Sequence, residues 1–466
     1  MTFNSLQYAA FLAGVLLIYW RLPMRGQNLL LLGASYWFYG AFDWRFLGLL
    51  LCSTTTDYTV GLLMNRRDHE RWRRTVFGCS LAVNLGILGF FKYYDFFSGE
   101  GIRLLHHLHV DLAPPVLRIL LPVGISFYTF HGISYTFDVY RRRIEPCRDP
   151  IAFAVFVAFF PQLVAGPIGR AERQLPQFRS PRRRPDRAET GRAVGLILVG
   201  LFKKVAIADT LAPYVDTAFR NPTQQGSVTL LLSVYAFALQ IYGDFGGYTD
   251  IARGSAALLG IELPLNFAQP YLSRSVTEFW RRWHISLSSW LRDYLYVPLG
   301  GNRGPAWATY RNLIITMLLG GLWHGAAATF VVWGGLHGSY LAAERRFLPA
   351  ADRDAGRPWS WRRDPLRAFA TFNLVCVAWV FFRATGVRGA GHYLLRIGEL
   401  RPGPVDRNLV LVLAAATLAT LAVDVTARVA PRPAAGWRRG VAYGAMVTAV
   451  VLCSGGTPVP FIYFRF

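Results

Sequence analysis

Long apolar blocks separated by short arginine-rich stretches run through almost the whole chain. Since a helix needs roughly 20 apolar residues to cross a bilayer, the pattern predicts about eleven membrane helices. The predicted segments are 5–20, 28–42, 46–64, 75–97, 116–138, 151–168, 193–214, 227–258, 310–342, 366–384, 407–427 and 438–455, some of them re-entrant or interfacial. We therefore expect an all-α polytopic membrane protein in which residues 1–466 form a single membrane domain.

Three of these segments carry additional signals. The first has no basic stretch before it and no cleavage pattern after it, so a retained helix is expected rather than a signal peptide. Residues Phe160–Ile168 contain two prolines and a glycine, which predicts a broken helix that protein or a cavity must cover. Residues Phe127–Phe137 mix aromatic and polar side chains, which favours a helix that faces a cavity over one that faces lipid alone.

The composition fits this membrane class: 53% of the residues are hydrophobic and 17% are charged. The net charge of +23 comes almost entirely from arginine. Arginine in short loops is typical of the positive-inside rule and of contact with anionic membrane lipids, and we prefer this interpretation to nucleic-acid binding. The stretch 170–192 has eight arginines and three prolines, so it is expected to be an extended cytoplasmic loop.

No pattern predicts a metal or a bound cofactor. The five cysteines are scattered without ligand spacing, and the histidines at 106, 107 and 109 are expected to lie in a solvated loop. The glycine pattern of a dinucleotide site does not occur.

The stretch Thr277–Gly325 contains the two histidines best placed for chemistry. His324 lies inside an apolar run among small residues, and an imidazole at membrane depth usually marks function. His284 lies where Trp280, Trp283, Leu287, Leu291 and Tyr294 recur at helical spacing opposite Arg281, Arg282 and Arg292, which predicts an amphipathic helix at the membrane surface. His337 is expected to be structural and to lie on a different face of the segment that continues from His324.

A second polar stretch, Gln240–Gly254, places Asp244, Tyr248 and Asp250 inside a hydrophobic segment. Buried carboxylates are costly unless they are paired. Two interpretations stay open: an ion pair of Asp244 or Asp250 with Arg253 that joins two helices, or a direct role in lining a substrate path.

Several of these motifs resemble those of one known family. Trp280–Leu287, Leu291–Tyr294, Tyr296–Arg303 and Leu322–Gly325 are similar to the hallmark motifs of the membrane-bound O-acyltransferases. The motifs at 244–250, 160–162 and 461–466 resemble the bacterial branch, which includes the alginate O-acetyltransferase membrane subunit and the D-alanyl transferase of teichoic acids. The resemblance predicts a family core at about 115–345, C-terminal helices at 366–455 and a terminal aromatic motif at 461–466, where Arg465 replaces the usual glutamine.

The resemblance implies a ring of membrane helices around a central tunnel in the bacterial cytoplasmic (inner) membrane. The expected acyl donor is cytoplasmic acetyl-CoA, used as a cosubstrate and not as a bound cofactor. The expected acceptor is an exported or cell-surface polysaccharide. An extracytoplasmic SGNH-hydrolase-like acetyltransferase is the expected partner, and no nucleic acid is expected.

These expectations assign roles to particular residues. His324 is the expected general base, and His284 assists it by orienting the acyl carbonyl or the proton transfer. Arg281 and Arg282 are expected to bind the phosphates of the donor or of lipid. Six side chains are expected to line the tunnel: Asp244, Tyr248, Asp250, Trp280, Trp283 and Trp323. Tyr463 is expected either to carry the acyl group outward or to serve as an aromatic anchor at the interface.

Two other functions stay open. A D-alanyl or other acyl transferase fed by a carrier protein would have the same fold. A non-catalytic transporter or flippase would use the same cavity, but the paired histidine motifs and the lack of an internal repeat disfavour it.

Overall fold

A computed structural model describes residues 1–66, 69–107, 120–349, 359–360, 362–429, 436–455 and 459–462. This part of the chain is helical and contains no strand, so the predicted all-α class is confirmed. The α-helices are Leu6–Tyr19, Met24–Asp43, Leu47–Arg66, Glu70–Leu88, Tyr94–His107, Ile125–Tyr140, Pro150–Ala158, Phe160–Leu163, Ala171–Arg179, Arg187–Leu201, Thr210–Arg220, Ser227–Leu258, Val276–Arg282, Ile285–Leu291, Ala306–His324, Ala328–Phe347, Asp364–Arg383, Val387–Gly398, Arg407–Val429 and Gly436–Cys453. Three π-helical turns interrupt them, at Gly89–Tyr93, Phe202–Asp209 and Arg292–Tyr296.

Several helices have the length and apolar composition to cross a membrane. Among the described residues five stretches meet both conditions: Met24–Arg66, Glu70–Gly99, Ser227–Leu258, Asp364–Arg383 and Arg407–Val425. Leu6–Tyr19 is apolar but shorter. The structure thus supports a multi-pass membrane protein, and the count of about eleven spans stays a prediction.

The described chain is arranged in two compact units. One comprises Met1–Val194 with Ala252–Pro264, and the other comprises Gly195–Ile251 with Leu265–Phe466. Every predicted site residue whose position is described belongs to the second unit, so the site is built within that unit alone.

In the first unit, the predicted break near Phe160 is confirmed. The helix Pro150–Ala158 ends at Phe159, whose ψ of 111° is not helical, and a four-residue helix Phe160–Leu163 follows. The side-chain amide of Gln162 donates to the carbonyl of Phe156 at 3.0 Å. This hydrogen bond gives a partner to the Phe156 carbonyl where the helix is broken. Buried backbone groups need such partners.

The helix Ile125–Tyr140 is buried along almost its whole length. Its His131 accepts a hydrogen bond at Nε2 from the Gly169 N–H at 2.9 Å, and the Oδ1 of Asp57 in a neighbouring helix accepts from Ser80 and Asn84. The helix is therefore covered by protein and does not face lipid alone, and the cavity expected beside it stays a prediction. Hydrogen bonds within the unit thus satisfy His131 Nε2 and Asp57 Oδ1, as expected for buried polar groups.

The extended loop expected at 170–192 is a wrong prediction. Residues Ala171–Arg179 form a helix that buries Ala171, Gln174, Leu175 and Phe178, a spacing typical of one helical face. The next helix begins at Arg187 with a reciprocal cap. Asp186 Oδ1 accepts from the Glu189 N–H at 2.7 Å, and Glu189 Oε2 accepts from the Asp186 N–H at 2.8 Å. The high arginine content suggested a loop, so the apolar face of the first helix and the capping residues of the second were not recognised.

The cytoplasmic location of this stretch stays a prediction, which follows from its arginine excess. Ser180 is exposed between the two helices, so a cysteine at this position is a suitable reporter. In a variant without the native cysteines, Ser180→Cys is expected to resist a membrane-impermeant maleimide in intact cells and to react after permeabilisation. Full labelling of intact cells would show that the stretch lies outside.

In the second unit, the segment predicted at 310–342 is two helices and not one. Ala306–His324 ends at Gly325, Gly325 and Ala327 are extended, and Ala328–Phe347 follows. The helices pack backbone to backbone, because a Cβ atom at Gly321 would lie 2.2 Å from the Phe330 carbonyl oxygen. Glycines at such contacts let membrane helices approach closely. Thus His324 occupies the end of a helix in a hairpin.

This hairpin gives a stability prediction. A Cβ at Gly334 would lie 2.3 Å from the Met317 carbonyl oxygen, whereas one at Gly335 would lie 3.6 Å from the Leu318 side chain. Gly334→Ala is therefore expected to lower the free energy of unfolding by about 1–3 kcal/mol, the usual range for overpacking. Thermal unfolding in detergent measures this, and Gly335→Ala is the matched control. Equal melting temperatures for the two variants would contradict the close helix contact.

Candidate active site

His324 lies in an aromatic shell at the C-terminal end of the helix Ala306–His324. It is 4% exposed, and its ring centre lies 4.9 Å from that of Trp323, 5.0 Å from that of Trp333 and 5.3 Å from that of Phe382. Residue 325 is a glycine because a Cβ atom at this position would lie 2.1 Å from the Phe330 ring. The sequence therefore builds a water-poor setting around one imidazole.

His284 lies between two short helices and not within one. The single amphipathic surface helix expected here is a wrong prediction. Val276–Arg282 ends before His284, which has φ 44° and ψ 53°, and Ile285–Leu291 begins after it. The aromatic and leucine residues of that pattern are buried inside the protein. Their regular spacing therefore reflects burial in the protein core and not one continuous helix at the membrane surface.

The left-handed conformation of His284 is held by Asn266, a residue that the sequence analysis did not single out. The Asn266 carbonyl accepts from the Ile285 N–H at 2.9 Å, and its side-chain oxygen accepts from the Ser286 N–H at 3.2 Å. Asn266 thus caps the second helix in place of a side chain from the preceding turn. Left-handed residues other than glycine are uncommon and often occur at functional sites.

The structure brings the two histidines together. Their ring centres are 6.2 Å apart, and Trp323 contacts both rings, at 5.8 Å from His284 and 4.9 Å from His324. His284 is fully buried, with Phe245 edge-on at 4.7 Å. Because of this burial the pKa of His284 is lowered to about 3, so its imidazole is neutral at pH 7.

Two lysines that the sequence analysis assigned no role are paired with the carboxylates of the helix Ser227–Leu258. Lys204 Nζ lies 2.6 Å from Asp244 Oδ1, and Lys203 Nζ lies 2.8 Å from Asp250 Oδ2. Both carboxylates are therefore in ion pairs with lysines that the sequence interpretation did not name, and a direct role in lining a substrate path stays a prediction. The signal for them was the pair of adjacent lysines in an apolar segment of a chain that has only one other lysine.

Glycines make this pairing possible. A Cβ at Gly200 would lie 2.6 Å from the Gly247 carbonyl oxygen, and one at Gly243 would lie 2.8 Å from the Lys203 carbonyl oxygen. The backbones of the two segments are therefore in contact, and the π-helical turn Phe202–Asp209 directs both lysines onto the neighbouring helix. Such turns are frequent at functional sites.

The C-terminal segment Val459–Ile462 packs on the same helix. Lys204 Nζ donates to the Val459 carbonyl at 3.0 Å, and Asp244 Oδ2 accepts from the Ile462 N–H at 2.7 Å. The Phe461 ring stacks on Tyr248, with ring centres 4.6 Å apart. Tyr463 itself lies outside the described residues. Asp244 and Tyr248 thus contact this segment.

A cavity of about 630 Å³ opens beside the histidine-bearing helices. Apolar atoms form most of its surface, and Arg281, Arg345 and Arg292, which is paired with Asp293, contribute positively charged groups. The other lining residues are Thr277, Trp280, Ile285, Ser288, Ser289, Leu291, Tyr296, Asn302, Leu313, Thr316, Met317 and Leu341. This size and lining are typical of a site for a small ligand with anionic groups.

A series of aromatic contacts connects this cavity to His324. Trp280 lines the cavity and donates from Nε1 to His337 Nδ1 at 3.3 Å. Trp333 packs on His337 at 4.8 Å and on His324 at 5.0 Å. His337 is therefore part of the packing that joins the two places, in agreement with the expected structural role.

The other two predicted residues of this region are held by protein contacts. Arg282 pairs with Glu278 at 2.9 Å and donates to the Ala268 carbonyl at 3.0 Å. Trp283 is 1% exposed and stacks on Phe279, with ring centres 5.5 Å apart. Of the two predicted donor-binding arginines, only Arg281 contributes to the cavity wall. Within the described ranges, no cluster of three or more histidine, cysteine, aspartate or glutamate side chains could hold a metal ion.

The sequence model of the membrane-bound O-acyltransferase family matches residues 44–386. The chain belongs to this family and is a multi-pass membrane O-acyltransferase.

Several relatives are similar over most of the chain. A probable alginate O-acetylase of Azotobacter vinelandii is 45% identical over 377 residues, which cover 79% of this chain and 72% of the relative. A peptidoglycan O-acetyltransferase of Helicobacter pylori is 36% identical, over 77% of this chain and 71% of the relative. A teichoic acid D-alanyltransferase of Bacillus subtilis is 26% identical, over 59% of this chain and 71% of the relative.

Proposed function

We propose that this enzyme O-acetylates an exported or cell-surface polysaccharide, with acetyl groups taken from cytoplasmic acetyl-CoA and moved across the bacterial inner membrane. The relatives named as O-acetylases or O-acetyltransferases are 36% to 45% identical to the chain, and those named as D-alanyltransferases are 26% and 28% identical. This difference favours acetyl transfer over D-alanyl transfer.

The observation that carries the proposal is the pair of buried imidazoles in one aromatic shell, 6.2 Å apart. In the proposed step a neutral His324 takes the proton of an acceptor hydroxyl, whose oxygen attacks the thioester carbonyl. A C–O bond forms, the C–S bond breaks, and the proton on His324 passes to the departing thiolate. His284 orients the acyl carbonyl. Because the shell excludes water, hydrolysis of the thioester is disfavoured.

The donor site in this proposal is the cavity that includes Arg281, Arg292 and Arg345. Planar guanidinium groups suit the phosphates of coenzyme A, and the apolar wall suits the pantetheine arm. The aromatic contacts from Trp280 to His324 lie between that cavity and the proposed base.

The donor site gives a prediction that separates coenzyme phosphates from lipid phosphates. Arg281→Met is expected to raise KM for acetyl-CoA about tenfold, because one charge-assisted contact worth about 1.4 kcal/mol is lost. The same variant should keep its KM for S-acetylpantetheine, which has no phosphate. An exposed arginine away from the cavity, Arg220, supplies the control substitution. Equal effects on both donors would assign Arg281 to lipid.

The outward half of the proposed reaction uses Tyr463 and a partner enzyme. The tyrosine hydroxyl accepts the acetyl group and an extracytoplasmic SGNH-hydrolase-like acetyltransferase moves it to sugar hydroxyls. The contacts of Val459–Ile462 with Lys204 and Asp244 hold the segment just before Tyr463 near the histidine shell, which supports this role.

The donor is tested with purified enzyme in sealed vesicles. Radiolabelled acetyl-CoA supplied on one side, with the SGNH-like partner and a soluble oligosaccharide on the other, is expected to give labelled oligosaccharide. A D-alanyl-loaded carrier protein, supplied in place of acetyl-CoA, is expected to give none. Transfer of D-alanine without transfer of acetyl would replace this proposal by the D-alanyl alternative, and export of unmodified glycan without any transfer would favour a flippase.

A further inference from the structure

We propose that Lys204 and Asp244 form a binding site for the main chain of Val459–Ile462, and that this site holds the segment beside the histidine pair. The ammonium and the carboxylate are 2.6 Å apart. Lys204 donates to the Val459 carbonyl at 3.0 Å, and Asp244 accepts from the Ile462 N–H at 2.7 Å. Lys204 therefore supplies a hydrogen-bond donor, and Asp244 an acceptor, for two main-chain groups of this segment.

Burial and charge make the hydrogen bonds of Lys204 and Asp244 to this segment strong. The side chains of Lys204 and Asp244 are 7% and 4% exposed, and Asp209 contacts Lys204 at 2.7 Å from the other side. Hydrogen bonds to charged groups are shorter and stronger than those between neutral groups, and a low local dielectric adds to the effect. An ion pair that only joined two helices would not need to be directed at the carbonyl and the N–H of a third segment.

The site lies against the shell of His284. Phe461 stacks on Tyr248 and also reaches Phe245, with ring centres 6.0 Å apart. Phe245 in turn packs edge-on against His284 at 4.7 Å. Phe245 and Tyr248 belong to the helix that carries Asp244 and lie within about one turn of that residue. The C-terminal segment is therefore held by its main chain and by one ring beside the histidine pair.

Lys204 and Asp244 act here as positioning residues. Tyr463 follows Ile462 directly in the sequence, so fixing Ile462 limits the volume that the tyrosine can search. Holding a reacting group in place lowers the entropic part of the barrier, and a misplacement of about 1 Å can cost a factor of 10². This half of the inference rests on the proposed function, whereas the binding of the segment does not.

The primary test removes one hydrogen bond and leaves the ion pair intact. Ile462→Pro deletes the N–H that Asp244 accepts, and Ile462→Val is the matched control that keeps it. The full chain carries 4-fluorophenylalanine at position 461, so that ¹⁹F NMR in nanodiscs reports the ring. We expect a broad resonance shifted by Tyr248 in the parent and in Ile462→Val. A narrow resonance near the free amino-acid value is expected in Ile462→Pro.

Activity supplies the second readout. In vesicles, Ile462→Pro is expected to lower kcat for acetyl transfer to the oligosaccharide about 10²-fold, while the affinity for acetyl-CoA stays that of the parent. Asp244→Asn, which keeps the side-chain shape but removes its charge, should show the same NMR change and a loss in kcat. It is an independent route to the same result should the proline variant not fold.

The outcomes separate the two proposals. An unchanged ¹⁹F resonance in both Ile462→Pro and Asp244→Asn would overturn the binding site. A mobile ring with parental kcat would overturn its positioning role. Absence of acetyl transfer by the parent enzyme would instead refute the proposed function, and the NMR comparison would still decide whether Lys204 and Asp244 bind the segment.

Discussion

Replacement of His324 by alanine is expected to lower acetyl transfer by about 10²–10⁴-fold, the usual contribution of a general base. The imidazole lies 4% exposed among three aromatic rings, a setting in which no water can substitute freely for the base. The loss should appear in kcat and in kcat/KM alike, because the proton is transferred only in the transition state. Steady-state transfer from acetyl-CoA by the purified enzyme measures it.

His284 provides the comparison for this variant. His284→Ala and His284→Gln are expected to show smaller and graded losses, since glutamine retains a hydrogen-bonding side chain. His284→Asn is the control for the backbone, because asparagine tolerates the left-handed conformation that this position adopts. Near-parental turnover of a folded, membrane-inserted His324→Ala enzyme would remove His324 from the mechanism.

Substitution of Tyr463 by phenylalanine is expected to abolish transfer to the extracytoplasmic acceptor. The change keeps the aromatic ring and removes only the hydroxyl that would carry the acetyl group. An aromatic anchor at the membrane interface would tolerate this change. The measurement is acetylation of the glycan in cells that lack the native gene and express each variant at equal level.

Phe461→Tyr serves as the control, since it adds a hydroxyl within the motif without restoring one at position 463. It is not expected to rescue Tyr463→Phe. Full glycan acetylation by the Tyr463→Phe enzyme would rule out the relay and leave the anchor. Loss of acetylation together with loss of membrane insertion would also point to an anchor.

The helical class and the burial of His324 could be predicted from the sequence. Apolar blocks near 20 residues long have few structural alternatives in a membrane protein, because every backbone group must be satisfied. His324 was conspicuous because an imidazole in an apolar run is costly. The interruption after Ala158 was also predictable, because Pro161 has no N–H with which to continue the helix.

Other features depend on contacts that no local pattern encodes. The helix break at His284 is held by Asn266, which is 18 residues away in the sequence, so helical spacing alone suggested one helix. The partners of Asp244 and Asp250 come from a π-helical turn about 40 residues earlier, and only backbone contact through glycines brings them close. The helix Ala171–Arg179 was not predicted because the many charged residues of this stretch suggested a loop, and its apolar face is short. The tunnel implied by the family resemblance stays a prediction.

Mass spectrometry of the C-terminal peptide, after purified enzyme is exposed to ¹³C-labelled acetyl-CoA, tests the central claim most directly. The claim is that His324 and the C-terminal tyrosine together move an acetyl group from coenzyme A. We expect a labelled acetyl ester on Tyr463 in the parent enzyme, lost on mild alkaline treatment, and none in His324→Ala. An unlabelled peptide from an enzyme that acetylates glycan at the full rate would contradict the relay. Equal labelling in the parent and in His324→Ala would contradict the catalytic role of the histidine.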